Sequence, residues 1–335
     1  MRLNNVITLI NAELKSRANI VAFEKIVVDV KRVLRGDLFI AYNSLDIPQA
    51  LSLGAYGIIY DEDIEILDDE VAFLRVSSCD DALLRVLRFS LLNKKIKSYD
   101  CDKITIELAS CLEYRSDVLV INSALKTIYS KIVNLNENSV VLFSSKITPI
   151  ELFIDSTCMI PNIEKTITTI EKTVFETTFI YRDNYYDRVL FSPFFTPYLE
   201  KLFNFLDSIS IEFILKTSLH VEHFTPIFCD KDLNIVDFGM SQKVLIFEND
   251  MELIETQIDF LKSMASWAKM LYFIPLSFKS RLSDTLHVEY YADDMELLTL
   301  METKSYHYGL VAGKRGSFLD NRNKTKEKRQ LVMEF

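Results

Sequence analysis

Asp29-Val30-Lys31-Arg32-Val33-Leu34-Arg35-Gly36-Asp37-Leu38-Phe39-Ile40-Ala41 decides how the first part of this 335-residue chain is read. Ile26-Val27-Val28, just before it, and Leu38-Phe39-Ile40, inside it, are short apolar runs rich in β-branched or aromatic side chains. Charged residues and one glycine separate them, which is the chemistry of strand, turn and strand. Gly36 supplies the backbone freedom that such a turn needs. The plainer alternative is that Gly36-Asp37 only makes a hairpin in some other α/β domain.

The same residues resemble the start of a Mur ligase. In that family the amino-terminal domain, which holds the UDP end of a nucleotide-sugar substrate, opens with a pattern close to Asp-Ser-Arg-x-Val-x-x-Gly-Asp-Leu-Phe-x-Ala. Asp29, Val33, Gly36, Asp37, Leu38, Phe39 and Ala41 match it, while Val30 stands at the serine and Lys31 at the arginine. Ala50 to Tyr60 is similar to the family's helix, Gly-Ala turn and strand, and Ala82 to Leu87 to the helix that closes the domain. The loop Asn43 to Pro48 is short and lacks the family's Asp-Gly-His segment. From Lys25 to Leu92 the likeness is to the branch that adds D-alanyl-D-alanine. It implies nucleotide-sugar contacts at Asp29, Lys31, Gly36, Asp37 and Phe39. Lys31 keeps a positive charge but lacks the planar fork with which arginine grips phosphate oxygens, so weaker binding is expected.

With 49% hydrophobic and 12% aromatic residues, the chain can fill the cores of two domains. A net charge of −10 argues against a general nucleic-acid binder, which would carry a basic footprint. The five cysteines, Cys79, Cys101, Cys111, Cys158 and Cys229, form no close pair, and no export signal precedes them. Without a long uncharged apolar run, no membrane span is expected, and the predicted compartment is a bacterial cytoplasm.

Apolar periodicity gives way to a lysine-rich connector near Asn93 to Asp100, where a second domain is expected to begin. Its predicted strands are Val118 to Ile121, Val140 to Phe143, Val189 to Phe191, Val244 to Phe247 and Met270 to Ile274. Helical patterns such as Ile104 to Leu112, Tyr198 to Leu206 and Met251 to Trp267 lie between them, which implies a doubly wound, mostly parallel sheet. Val141-Leu142-Phe143-Ser144 and Val189-Leu190-Phe191-Ser192 are each followed by three variable residues and Thr-Pro. Thr148 and Thr196 are expected to cap helices that have Pro149 and Pro197 at their first position. Ser144 and Ser192 would then lie in loops at the carboxyl ends of strands, where α/β sheets place ligands. Ser218 to Glu222 recurs nearly as Thr285 to Glu289. The glycine- and lysine-rich tail from Gly309 reads as mobile or partner-dependent.

A working Mur ligase makes an acyl phosphate from ATP and needs a glycine-rich turn whose N-H groups cradle phosphate, with a lysine and a Ser/Thr after it. After Val118 to Val120 stands Ile121-Asn122-Ser123-Ala124-Leu125-Lys126-Thr127, similar to the family's Thr-Gly-Thr-Asn-Gly-Lys-Thr with both glycines gone. Asn122, Ser123, Lys126 and Thr127 are the phosphate-binding candidates. Leu125 would be strained at positive φ, so triphosphate binding is not expected. Gly309 to Arg315 imitates the motif one residue short, with no convincing strand before it or helix after it. Asp237-Phe238-Gly239 lacks the companion motifs of a kinase.

His220-Val221-Glu222-His223 is the one segment with metal-ligand character. On a strand, residues three apart face opposite sides, so no metal site is assigned. The family resemblance makes His220 a pocket candidate. Asp250, after the Val244 strand, is a ligand candidate by position and a helix cap by chemistry.

The reading is therefore an α/β chain: a Mur-ligase-like amino-terminal α/β domain over residues 1–95, a doubly wound, mostly parallel α/β domain resembling a degenerate ligase core over 96–305, and a basic tail over 306–335. The family's third domain, which supplies the incoming amino-acid site, is not recognisable. The expected function is that of a diverged, non-catalytic protein binding a UDP-linked or phosphorylated metabolite, or a cell-wall synthesis partner. The alternatives are an atypical carboxylate-amine ligase of peptidoglycan precursor synthesis, for which alone ATP and Mg²⁺ would be cofactors, and a protein-interaction module.

Overall fold

The computed structural model describes residues 1–160, 164–216, 219–281, 288–316, 318 and 319. They fall into two compact units, residues 1–106 with 114–160, and residues 107–113 with the chain from 161 onward.

The first unit opens with a five-stranded sheet ordered Glu13–Leu14, Ala72–Arg75, Gly57–Tyr60, Leu38–Ile40, Ile26–Val27. Its first strand is antiparallel to its neighbour and the others are parallel. Ile26 pairs with Leu38 and Val27 with Phe39 in parallel register, so the deciding stretch is a crossover and not a hairpin. Asp29 starts that crossover by accepting the Lys31 N-H at 3.1 Å, which caps the turn Val30–Arg32. Gly36 ends it at φ +95°, a left-handed conformation that a side chain resists.

Because successive strand residues point to opposite faces, the central strands feed two cores. Leu38, Ile40, Ile59 and Leu74 join one, which continues through Leu83, Val86 and Leu87 of the helix Cys79–Leu91 to Ile128 and Ile132 of the helix Leu125–Val133. Phe39, Ile58, Tyr60 and Phe73 pack on the other face with Ile47 and Ala50 of the helix Ile47–Ser52. Ser78 caps the central helix by accepting the Asp81 N-H, with Asp80 and Asp81 in the first turn where the helix dipole favours them. A second sheet, wholly parallel and ordered Ser156–Cys158, Lys97–Asp100, Val140–Phe143, Val118–Ile121, completes this unit. The boundary expected near Lys95 therefore lies inside the first unit.

The second unit contains an antiparallel meander, Ile167–Lys172, Thr177–Tyr181 and Asn184–Val189, where a parallel strand at Val189 was expected. The helix Thr196–Ser208 follows. A five-stranded sheet is ordered Thr225–Cys229, Lys243–Glu248, Tyr308–Ala312, Met270–Pro275, Val288–Tyr291, antiparallel at the first pair and parallel elsewhere. Parallel strands thus run through three sheets with helices between them, as expected of an α/β chain. Tyr308–Ala312 sits at the centre of its sheet, so the chain from Gly309 begins as core and not as tail; the later basic residues from Arg322 lie outside the described residues. Gly309 is required there by packing, since a Cβ would stand 2.9 Å from the Phe273 ring. Ser218 and Thr285 to His287, which carry the near-repeat, also lie outside the described residues.

The two Thr-Pro caps are not formed. A short 3₁₀ turn, Ile150–Leu152, follows Pro149, and Thr148 is buried with its hydroxyl unpaired. Thr196 is itself the first helical residue, and its hydroxyl is also buried and unpaired. The cap is supplied earlier by Ser192, whose Oγ accepts the Phe194 N-H at 3.3 Å. Among the described residues, no helix is long and apolar enough to cross a membrane.

Candidate functional site

The crossover that carries the family-like motif also forms one wall of the largest described cleft of the first unit. Of the five nucleotide-sugar candidates, Asp29 lines this cleft, together with Lys25 and Arg32. Phe39 is 1% exposed and belongs to the core. Asp37 is equally buried, accepts the Leu34 N-H at 2.9 Å and stands 3.8 Å from Lys25 Nζ. Gly36 shapes the turn, and Lys31 is exposed outside the cleft lining. The motif thus folds the wall more than it lines it.

The opposite wall is the helix Leu125–Val133, which contributes Lys126, Thr127 and Ser130. The cleft between them has a volume of about 830 Å³, within the range of small-molecule sites. Lys126 Nζ lies 4.8 Å from the centre of the Tyr42 ring, a cation–π contact that leaves the ammonium beside the cleft. Burial, reinforced by the Asp80 carboxylate, pushes the Tyr42 phenol above its ordinary value, so it stays a neutral donor. Arg32 Nε is 3.5 Å from Asp29 Oδ2. Lys25, Arg32 and Lys126 therefore outnumber Asp29 and Asp46 among the charged lining residues, which favours an anionic ligand.

Triphosphate is a different matter. A phosphate-cradling nest needs successive N-H groups turned inward by residues of opposite hand. Residues 122–127 all have negative φ, and the Thr127 N-H is already given to the Ala124 carbonyl at 2.9 Å. Asn122 and Ser123 form an ordinary three-residue connection with Ala124, and Leu125 escapes strain because the turn does not wrap. These residues do not fit the γ-phosphate of ATP. The second imitation differs from its expected context, since a strand, Tyr308–Ala312, does precede Gly313-Lys314-Arg315 and residues 315 and 316 are helical. Gly313 also has a negative φ, so no nest forms there either.

Ser144 is buried in the first unit with its hydroxyl unpaired. In the second unit Ser192 and His220 line one cavity of about 310 Å³. Asp250 accepts the Glu252 N-H at 3.1 Å and so belongs to a turn. Beside it lies a buried network for which the spacing of acids and histidines gave no sign. Glu248, wholly buried, receives His223 Nδ1 at 2.7 Å, the Asp250 N-H at 2.8 Å, the Phe224 N-H at 3.2 Å and Gln257 Nε2. Glu107 accepts the Glu222 N-H at 2.7 Å and faces His223 Nε2 at 3.6 Å. His220 is exposed and His223 buried, so they do not converge, and among the described residues no cluster of three or more His, Cys, Asp or Glu could hold a metal.

Burial alone would pull the His223 pKa down, but the hydrogen bond and charge of Glu248, with Glu107 and Asp250, raise it overall. At Glu107, by contrast, burial raises the carboxyl pKa. A histidine whose folded pKa is raised stabilises the fold fully below its unfolded value, and that stability is lost as pH rises through the folded value. Unfolding free energy should therefore fall as pH rises above an ordinary histidine pKa near 6.5, with a slope of at most about 1.4 kcal/mol per pH unit for one proton. Urea titrations at several pH values should show this slope and its loss in His223→Gln.

No protein-family profile matches the chain, and no curated protein matches it in sequence. Its fold is similar to that of MurF from Acinetobacter baumannii, with a TM-score of 0.53 at 12% identity over 96% of this chain and 97% of that one. A UDP-N-acetylmuramoylalanyl-D-glutamyl-2,6-diaminopimelate–D-alanyl-D-alanyl ligase from the same organism gives 0.51 at 12% identity, covering 96% of each chain. The MurF ligase of Thermotoga maritima, solved in complex with ADP, gives 0.51 at 13% identity over 91% and 98%. The chain has a Mur-ligase-like α/β fold. That likeness runs over nearly the whole of both chains, well past Leu92 where the continuous sequence resemblance ends, so the five-stranded sheet of the second unit is part of it.

Proposed function

We propose that the chain is a diverged, non-catalytic Mur-ligase-like protein whose first-unit cleft binds a nucleotide-linked or phosphorylated metabolite, a UDP-linked cell-wall precursor above all. The observation that carries this reading is the meeting of Lys126 and Thr127 with Lys25, Asp29 and Arg32 around one cleft of about 830 Å³, without a glycine turn to hold triphosphate. Asp29 would orient Arg32 rather than touch the ligand, and Lys126, held over the Tyr42 ring, would meet a phosphate as a point charge. The five free thiols suit a cytoplasmic setting, where such precursors would be met.

Thermal unfolding with and without ligand tests it, because a ligand that binds only the folded state raises apparent stability, by about 2.7 kcal/mol at a hundredfold excess over Kd. UDP-N-acetylmuramoyl peptide should raise the Tm and Mg-ATP should not. Lys126→Ala should weaken the UDP ligand about tenfold, the loss of one charge-assisted contact, with little change in unliganded stability. Stabilisation by Mg-ATP that disappears in Lys126→Ala would instead favour the carboxylate-amine ligase. No response to either ligand would turn the search to a cell-wall synthesis protein as partner.

A further inference from the structure

The second unit contains a cavity that the proposed function does not use. Its volume is about 310 Å³, and its walls come from the end of the meander, the residues before the edge strand Thr225–Cys229, and that strand itself. Phe191, Val221, Phe224 and Ile227 are buried in those walls, while Leu190 and Ile235 at the lining are 58% and 53% exposed. Among the described residues, no carboxylate lines the cavity. Among the described lining residues Arg315 is the one that is permanently charged, and no described residue pairs with it. His223 also lines it, but its ring is taken up by Glu248 and faces Glu107.

We infer that this cavity is a binding site for a small organic anion with an apolar body, a medium-chain or aryl carboxylate, whose head group pairs with Arg315 at the mouth. Predominantly apolar walls with few placed polar groups are the usual composition of a small-molecule site. Its apolar walls would gain close contacts against a hydrocarbon body. Arg315 selects for charge, because a guanidinium grips a carboxylate through two parallel hydrogen bonds that an alcohol cannot offer. Among the described lining residues, no carboxylate stands to repel an anion at close range. At about 30 Å³ for each small group, the volume corresponds to roughly ten non-hydrogen atoms. Octanoate is of that size.

Isothermal titration of the full chain with octanoate, hexanoate, octanol and acetate reads the two halves of the site separately. Octanoate should bind, and each methylene removed should weaken binding about fourfold, the ratio expected for one buried CH₂. Octanol should bind at least tenfold more weakly than octanoate, and acetate should not bind measurably. Arg315→Gln, at an exposed position, should bring octanoate down to the level of octanol. Leu190→Trp, also exposed, should block the mouth and abolish binding of both. The inference is overturned if octanol binds as well as octanoate, if Arg315→Gln leaves the octanoate Kd within twofold, or if no octanoate binds. Because the cavity belongs to the second unit, the result is independent of how the first-unit cleft responds to UDP-N-acetylmuramoyl peptide.

Discussion

Glu248→Ala should lower the unfolding free energy by about 3–5 kcal/mol, the range found when one partner of a buried ion pair is removed. The carboxylate is wholly buried at the end of the strand Lys243–Glu248 and accepts from His223, Phe224, Asp250 and Gln257 at once. Its removal leaves the His223 imidazole and several donors without their acceptor, away from water. Each unsatisfied donor costs about 1–3 kcal/mol, so partial relaxation still leaves a large deficit. Glu248→Gln separates the contributions: it keeps one carbonyl acceptor but loses the charge and turns an N-H₂ toward existing donors. It should fall between wild type and Glu248→Ala. Denaturant titration followed by circular dichroism provides the measurement, with a drop in midpoint at unchanged slope marking a change in stability alone. A loss below about 1 kcal/mol for Glu248→Ala would mean that water replaces the carboxylate and that the network holds nothing together.

Why this network escapes a reading of the sequence is clear from its chain distances. Glu107 and Glu222 are 115 residues apart, and neither stands in a pattern that marks it as a partner of the other. Glu248 ends a strand that is easily found, because Val244 to Phe247 reads as a continuous apolar run. Val118–Ile121, Val140–Phe143 and Met270–Pro275 are legible for the same reason. The meander is not, because Ile167–Lys172 exposes five of its six residues and carries no such run. The strand Tyr308–Ala312 was masked by Gly309, whose glycine suits a tight approach to Phe273 as well as it suits a phosphate loop. In the cleft, the Lys126-Thr127 pair was legible from its place after a strand, whereas Tyr42 and Arg32 enter only through the parallel crossover.

Phe39→Ala should cost about 3–5 kcal/mol, as expected for an aromatic side chain deleted from a packed core. Phe39 is 1% exposed and packs with Ile58, Tyr60, Phe73 and Ile47. Its ring cannot reach a ligand without unfolding the first sheet. If the family-like motif acts mainly as scaffold, as Asp37 bound to the Leu34 N-H also suggests, stability and binding will separate by residue. Phe39→Ala should lose stability, yet in the temperature range where it remains folded it should bind UDP-N-acetylmuramoyl peptide with an unchanged Kd. Lys126→Ala should do the reverse, because its side chain lies at the exposed edge of the cleft. Thermal unfolding and titration calorimetry on both variants make the comparison directly. A Phe39→Ala protein that is stable but fails to bind would place the ring against the ligand and return the motif to a contact role. Equal losses of both properties in both variants would show that the cleft and the core open together, because the helix Leu125–Val133 carries Lys126 on one side and Ile128 and Ile132 of the core on the other.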